Sequence, residues 1–102
     1  MDAQGFRASL EQESPPTDLG VPLEALWWAG KGEWHRSHDL LQDQDDANGS
    51  AWVHAWLHRE EGDLPNARYW YGRAGKPPVE TSLANEWDEI ATGLLKGLIS
   101  MS

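Results

Sequence analysis

The chain has 102 residues, no cysteine and a formal charge of −9, with 17 acidic against 8 basic side chains. That length makes one domain burying roughly 60–70% of its unfolded surface, and the missing cysteines exclude disulfides and thiolate metal sites and fit a reducing compartment. The scattered Lys and Arg exclude nucleic acid and anionic membrane surfaces as partners, no window approaches the ~18 apolar residues of a membrane span, and the opening residues show no basic-then-apolar leader; the reading is a soluble cytoplasmic protein.

Residues 1–18 read as a weakly ordered N-terminal segment, with at most a short helical turn near Phe6–Glu13, ended by Pro15 and Pro16. Residues 19–102 read as a single α-helical domain. Pro22 fits the first turn of a helix through LEALWWAG, which Gly30, Lys31 and Gly32 break. GEWHRSHDLLQ follows as its antiparallel partner. DQDDANGS is a polar connection of turn formers. Ser50 is the expected N-cap of AWVHAWLHREE, which stops at Gly62, and Asp63 the expected N-cap of LPNARYWYGRA, which Gly75 and Pro77-Pro78 end. Ser82 then caps a long helix through about Ile99. Its Leu83, Trp87, Ile90, Leu94 and Leu98 recur at helical steps, an amphipathic stripe. No segment alternates with a period of two, so no strand is expected. Seven tryptophans against one phenylalanine mean that indoles supply most of the core volume.

An offset of 30 residues brings the two helix pairs into register. Ala25 falls on Ala55, Leu26 on Trp56, Trp27 on Leu57, Trp28 on His58, Gly32 on Gly62, Ser37 on Ala67, Leu40 on Trp70 and Leu41 on Tyr71. Small residues on each helix permit close approach, a glycine permits the turn, and bulky residues fill the groove to the next unit. The run Gly62-Asp63-Leu64-Pro65-Asn66-Ala67-Arg68-Tyr69-Trp70-Tyr71-Gly72-Arg73-Ala74, followed by Pro77, resembles the second helix of a tetratricopeptide (TPR) or Sel1-like repeat. The first pair matches less well, with Ser37 in the alanine place, and the 30-residue offset is shorter than the repeat of about 34 in that family. The run WVHAWLHREEGDLPNARYWYGRAGKP also resembles the signature of a family of small uncharacterised proteins, which implies no particular activity. The TPR/Sel1-like resemblance implies an all-α fold of two antiparallel helical hairpins, with the C-terminal amphipathic helix as cap. Two units fall short of the ~3 that a free-standing solenoid needs, so that helix, the segment before Val21, or a second copy of the chain covers the exposed end.

His54 and His58 stand one helical turn apart, with Glu61 extending their face, and His35, His38 and Asp39 lie on the preceding helix. That spacing lets two imidazoles reach one divalent metal such as zinc, and a third His or a carboxylate completes the set. Ala55 stands where a zinc protease needs its glutamate, which excludes that mechanism. The alternative for His38, His54 and His58 is three core histidines satisfied by hydrogen bonds. Asp43, Asp45, Asp46, Asn48 and Gly49 hint at a calcium loop, but Gln44 and Ala55 then occupy the first and twelfth ligand positions, so a solvated connection is expected. Ser37-His38-Asp39 is no triad, because neighbours on a helix point about 100° apart. No glycine-rich phosphate loop and no nucleophile elbow occur.

Tyr69, Trp70 and Tyr71 point three ways on their helix. Tyr69 or Tyr71 beside Arg68 and Arg73 makes a candidate contact surface, with Trp28 and His58 flanking the neighbouring grooves. Two functions follow as expectations. One is a non-enzymatic helical-repeat module for protein or peptide binding, or for homodimerisation, with no cofactor. The other is a metal- or small-ligand-binding protein, possible enzyme included, centred on His38, His54 and His58.

Overall fold

A computed structural model describes residues 1–42, 44 and 49–100, with side chains to residue 97. Among these residues the protein is all-α, without a strand. Asp43, Asp45, Asp46 and Asn48 lie outside the described residues, as does the side chain of Leu98. The helices are α1 (Ala3–Ala8), prolonged by a 3-10 turn over Ser9–Glu11, α2 (Val21–Gly30), α3 (Trp34–Leu41), α4 (Ser50–Glu60), α5 (Leu64–Ala74) and α6 (Leu83–Ser100). α2 packs most closely on α3 and α4 on α5; α3 and α2 both touch α4, and α6 lies against α1, α2 and α4.

Local chemistry sets most of these boundaries. Pro22 and Pro65 occupy first turns, where their missing N–H costs nothing. The Asp63 carboxylate accepts the Asn66 N–H at 3.3 Å, and the Ser82 hydroxyl accepts that of Asn85 at 3.1 Å. Ser50 departs from its expected role: Gly49, with φ +98°, is the N-cap, and Ser50 is the first helical residue, buried against the core.

The two short connections have one geometry. Gly32 and Gly62 take φ values of +82° and +86°, which L side chains avoid. At the first, the N–H of Gly32 reaches the Ala29 carbonyl at 3.0 Å and that of Glu33 the Trp28 carbonyl at 3.0 Å. At the second, Gly62 reaches Arg59 at 3.1 Å and Asp63 reaches His58 at 2.9 Å. Both are Schellman turns, which satisfy the last carbonyls of one helix while reversing the chain. The small residues behave alike: the Ser37 hydroxyl donates to the Ala25 carbonyl at 2.6 Å, and Ala55 and Ala67 share one buried cluster.

The N-terminal segment contributes more than its composition implies. Asp2 accepts the Gly5 N–H at 2.8 Å to start α1, and Phe6 is wholly buried, its ring stacked on Trp87 at 5.3 Å. A six-residue helix is too short to persist alone; the tertiary contact of Phe6 supplies the missing stability.

Phe6, Leu23, Leu26, Trp27, Leu57, Trp87 and Ile90 form the centre of the main core. Indole N–H groups tie its elements together. Trp27 donates to the Ser9 hydroxyl at 3.0 Å, and Trp34, Trp56 and Trp87 donate to the carbonyls of Leu57, Leu83 and Leu26, each at 2.9 Å. Trp27, Trp56 and Trp87 are thus buried, and Trp34 half-buried, without stranding their polar edges. A polar knot joins α6 to α4 and α5: buried Glu86 accepts the Arg59 guanidinium at 2.9 Å and the Tyr71 hydroxyl, while Arg59 also donates to the Thr81 carbonyl. Burial, and then the hydrogen bond to Glu86, push the Tyr71 phenol well above its ordinary pKa.

Candidate metal centre

His38 reaches the α3–α4 junction because it shares a helix face with Trp34, one turn earlier, and Trp34 is held against α4 by its bond to the Leu57 carbonyl. His54 and His58 lie one turn apart on the buried face of α4, with near-parallel rings 5.9 Å between centroids and 5° between planes. The His38 ring meets both steeply, 5.0 Å from His54 and 5.6 Å from His58. One ring nitrogen from each histidine lies within 4.8 Å of the other two. A tetrahedral ion with Zn–N bonds of about 2.0–2.1 Å spaces its donors about 3.3 Å apart. The 4.8 Å limit on the three nitrogens is thus wider than that donor spacing.

Aromatic rings wall the cluster. Trp34 stacks on His38 at 4.8 Å and 9°, and Trp70 on His54 at 4.1 Å and 15°. His54 and His58 are buried, whereas His38 is half-buried and forms the accessible side. The His58 Nδ1 lies 2.7 Å from a Glu61 carboxylate oxygen, with the Asn66 amide a weaker neighbour at 3.4 Å. Burial and the nearby His58 lower the pKa of His38, against the opposing pull of Asp39 and Glu61. A neutral imidazole is the form that binds metal. His58, Glu61 and Asp63 make a second group with ligand atoms within 4.8 Å of one another. Both of its carboxylates already have local roles, Glu61 on His58 and Asp63 as the α5 cap.

The other residues singled out from sequence fall in three places. Trp28 is buried, edge-on to Trp27, with the Arg36 guanidinium 3.8 Å above its ring. Tyr71 is buried on Glu86. Arg68, Tyr69 and Arg73 lie on the exposed side of α5, where the Arg73 guanidinium donates to the Tyr69 hydroxyl at 3.1 Å. His35 is exposed and touches Trp34 edge-on, outside the three-histidine group. Trp70 and Asn66 were not legible as parts of this site. Their signal lay in the register itself, since Asn66 corresponds to Arg36 and Trp70 to Leu40, but the register says nothing of which ring faces which.

No helix among the described residues is long and apolar enough to cross a membrane. Compared with protein-family models, curated proteins and solved structures, the chain gave no significant match.

Proposed function

We propose that this protein binds one transition-metal ion of the zinc class through His38, His54 and His58. The observation that carries the reading is the mutual approach of three ring nitrogens to within 4.8 Å, from residues 16 and 20 positions apart in the chain. Three imidazoles select borderline ions such as zinc, copper, nickel or cobalt over magnesium and calcium, which take oxygen ligands. The scaffold is a pair of TPR/Sel1-like helical hairpins capped by α6; the matching Schellman turns at Gly32 and Gly62 and the small-residue contacts support that arrangement. The metal then clamps the first hairpin to the second, through α3 and α4.

Zinc titration followed by calorimetry and thermal melting tests this. At zinc near 100 times Kd the folded state gains about 2.7 kcal/mol, which raises the melting temperature by roughly 10–20 °C, and a chelator reverses the gain. His38→Gln, at the half-buried position, abolishes the rise. Absent binding heat and unchanged melting with zinc, cobalt, nickel and copper(II) would sink the reading.

A second reading, a non-enzymatic helical-repeat module for a protein partner or a second copy of the chain, rests on the exposed α5 side, where Tyr69 and Leu64 are 53% and 52% accessible beside Arg68 and Arg73. Sedimentation of the wild type and of Tyr69→Ala over a concentration series separates it from the first. A concentration-independent monomer in both removes self-association.

A further inference from the structure

We infer that Glu61 is a positioning residue for the metal site: it holds the proton of His58 on Nδ1, so that Nε2 carries the lone pair offered to the ion. This rests on the metal-binding reading above. A neutral imidazole has one N–H and one lone pair, and which nitrogen carries which is decided by the partner of the N–H. Here the partner is a carboxylate oxygen 2.7 Å from Nδ1. The Asn66 amide, at 3.4 Å from the same nitrogen, is the weaker competitor. A carboxylate behind a ligating histidine fixes ring orientation and tautomer and raises the basicity of the ligand nitrogen.

The arrangement is built into the turn. His58 is in the last turn of α4, Glu61 is the C-cap, and the carbonyl of His58 accepts the Asp63 N–H at 2.9 Å to close the Schellman turn. The backbone that positions the carboxylate is thus locked by the residue it serves. The turn does not itself require a glutamate. At the matching place in the first helix pair, 30 residues earlier, stands Lys31. Its ammonium turns away to the carbonyls of Leu10 and Gln12, at 2.7 and 2.9 Å, and the ring at the position of His58 is Trp28. Where the ring has no proton to place, the carboxylate is absent; where it is an imidazole, the carboxylate is present and bonded to it.

The experiment compares zinc affinity, by competition with a chromophoric chelator, for wild type, Glu61→Ala, Glu61→Gln and His38→Gln. Nitrogen chemical shifts of His58 in the metal-free protein report its tautomer. Glu61→Ala is expected to bind zinc about 10–100-fold more weakly, and Glu61→Gln, which keeps an acceptor oxygen without its charge, less so. Wild-type His58 shows the Nδ1–H form and Glu61→Ala a mixture, while melting of the metal-free protein moves little, since Glu61 forms a partly exposed pair. Wild-type affinity in Glu61→Ala, with loss in His38→Gln, overturns the inference and leaves the metal reading standing. Undiminished affinity in His38→Gln overturns the metal reading, and this inference with it.

Discussion

The two turn-linked helix pairs share a turn geometry and differ in the side chains around it. In the first, Trp28 sits 8% exposed under the Arg36 guanidinium; in the second, His58 sits 6% exposed beside the Asn66 amide. All four residues correspond at the 30-residue offset, as do Lys31 with Glu61 and Ala29 with Arg59. The first pair thus resolves its inner helix as an apolar face, Leu23 to Ala29, sealed by a cation over an indole. The second places polar groups on the same face: histidines where the first has Trp28 and Glu24, and an arginine reaching buried Glu86 where the first has alanine. A repeated turn geometry can therefore carry one unit specialised for packing and one for polar contacts, because the Schellman bonds involve only backbone atoms and leave side-chain identity open.

That contrast is open to attack. The largest effect is expected at Arg59→Ala, which strands Glu86, 1% exposed at its side chain, without its cation. Breaking such a buried pair costs about 3–5 kcal/mol, read as a lower urea midpoint; a loss below about 1 kcal/mol, the level of an exposed pair, would show that α6 is not held to the second pair through this ion pair. Trp28→Ala follows at about 3 kcal/mol, near the low end for a large buried aromatic ring. His58→Ala in the metal-free protein should cost about 1 kcal/mol, a single hydrogen bond's worth. Equal losses at positions 28 and 58 would erase the packing-versus-polar distinction. Gly32→Ala and Gly62→Ala test the shared geometry: each forces a left-handed backbone on a Cβ, about 1–2 kcal/mol, and the two costs should match within experimental error, because no other atom crowds either site. The smallest effect is expected with pH. Unfolded His38 takes up a proton near its ordinary value of 6.5, while the folded residue resists it through burial and His58. The unfolded state then binds more protons in this window, so stability falls as pH drops below that value and is retained above it. Asp39 and Glu61 oppose the shift, and His35 adds to it weakly. Melting curves between about pH 7.5 and 5.5 should show a shallower decline for His38→Gln than for the wild type.

Much of this architecture could be read along the chain because its signals are local. The prolines at 22 and 65, the caps at Asp63 and Ser82, and the glycines at 32 and 62 act within a few residues of themselves, and each stands where the spacing places it. Ser50 is instructive as an exception. Its type favours an N-cap, yet Gly49 takes that place and Ser50 is carried into the buried face of α4. Trp28, a candidate for contact from its register with His58, and Tyr71, a candidate from its arginine neighbours, are both interior, since only the packing of neighbouring helices decides which side of a helix is covered.

The sequence by itself determined an all-α chain, its turns, the 30-residue correspondence and the one-turn spacing of His54 and His58, because each depends on steric and hydrogen-bond preferences of adjacent residues. Only the tertiary structure decided that His38 meets those two, that Glu86 is buried between Arg59 and Tyr71, and that Phe6 belongs to the core against Trp87. Those contacts join residues on different helices. Which faces meet is settled by how whole helices pack to bury apolar area, a quantity no local pattern contains.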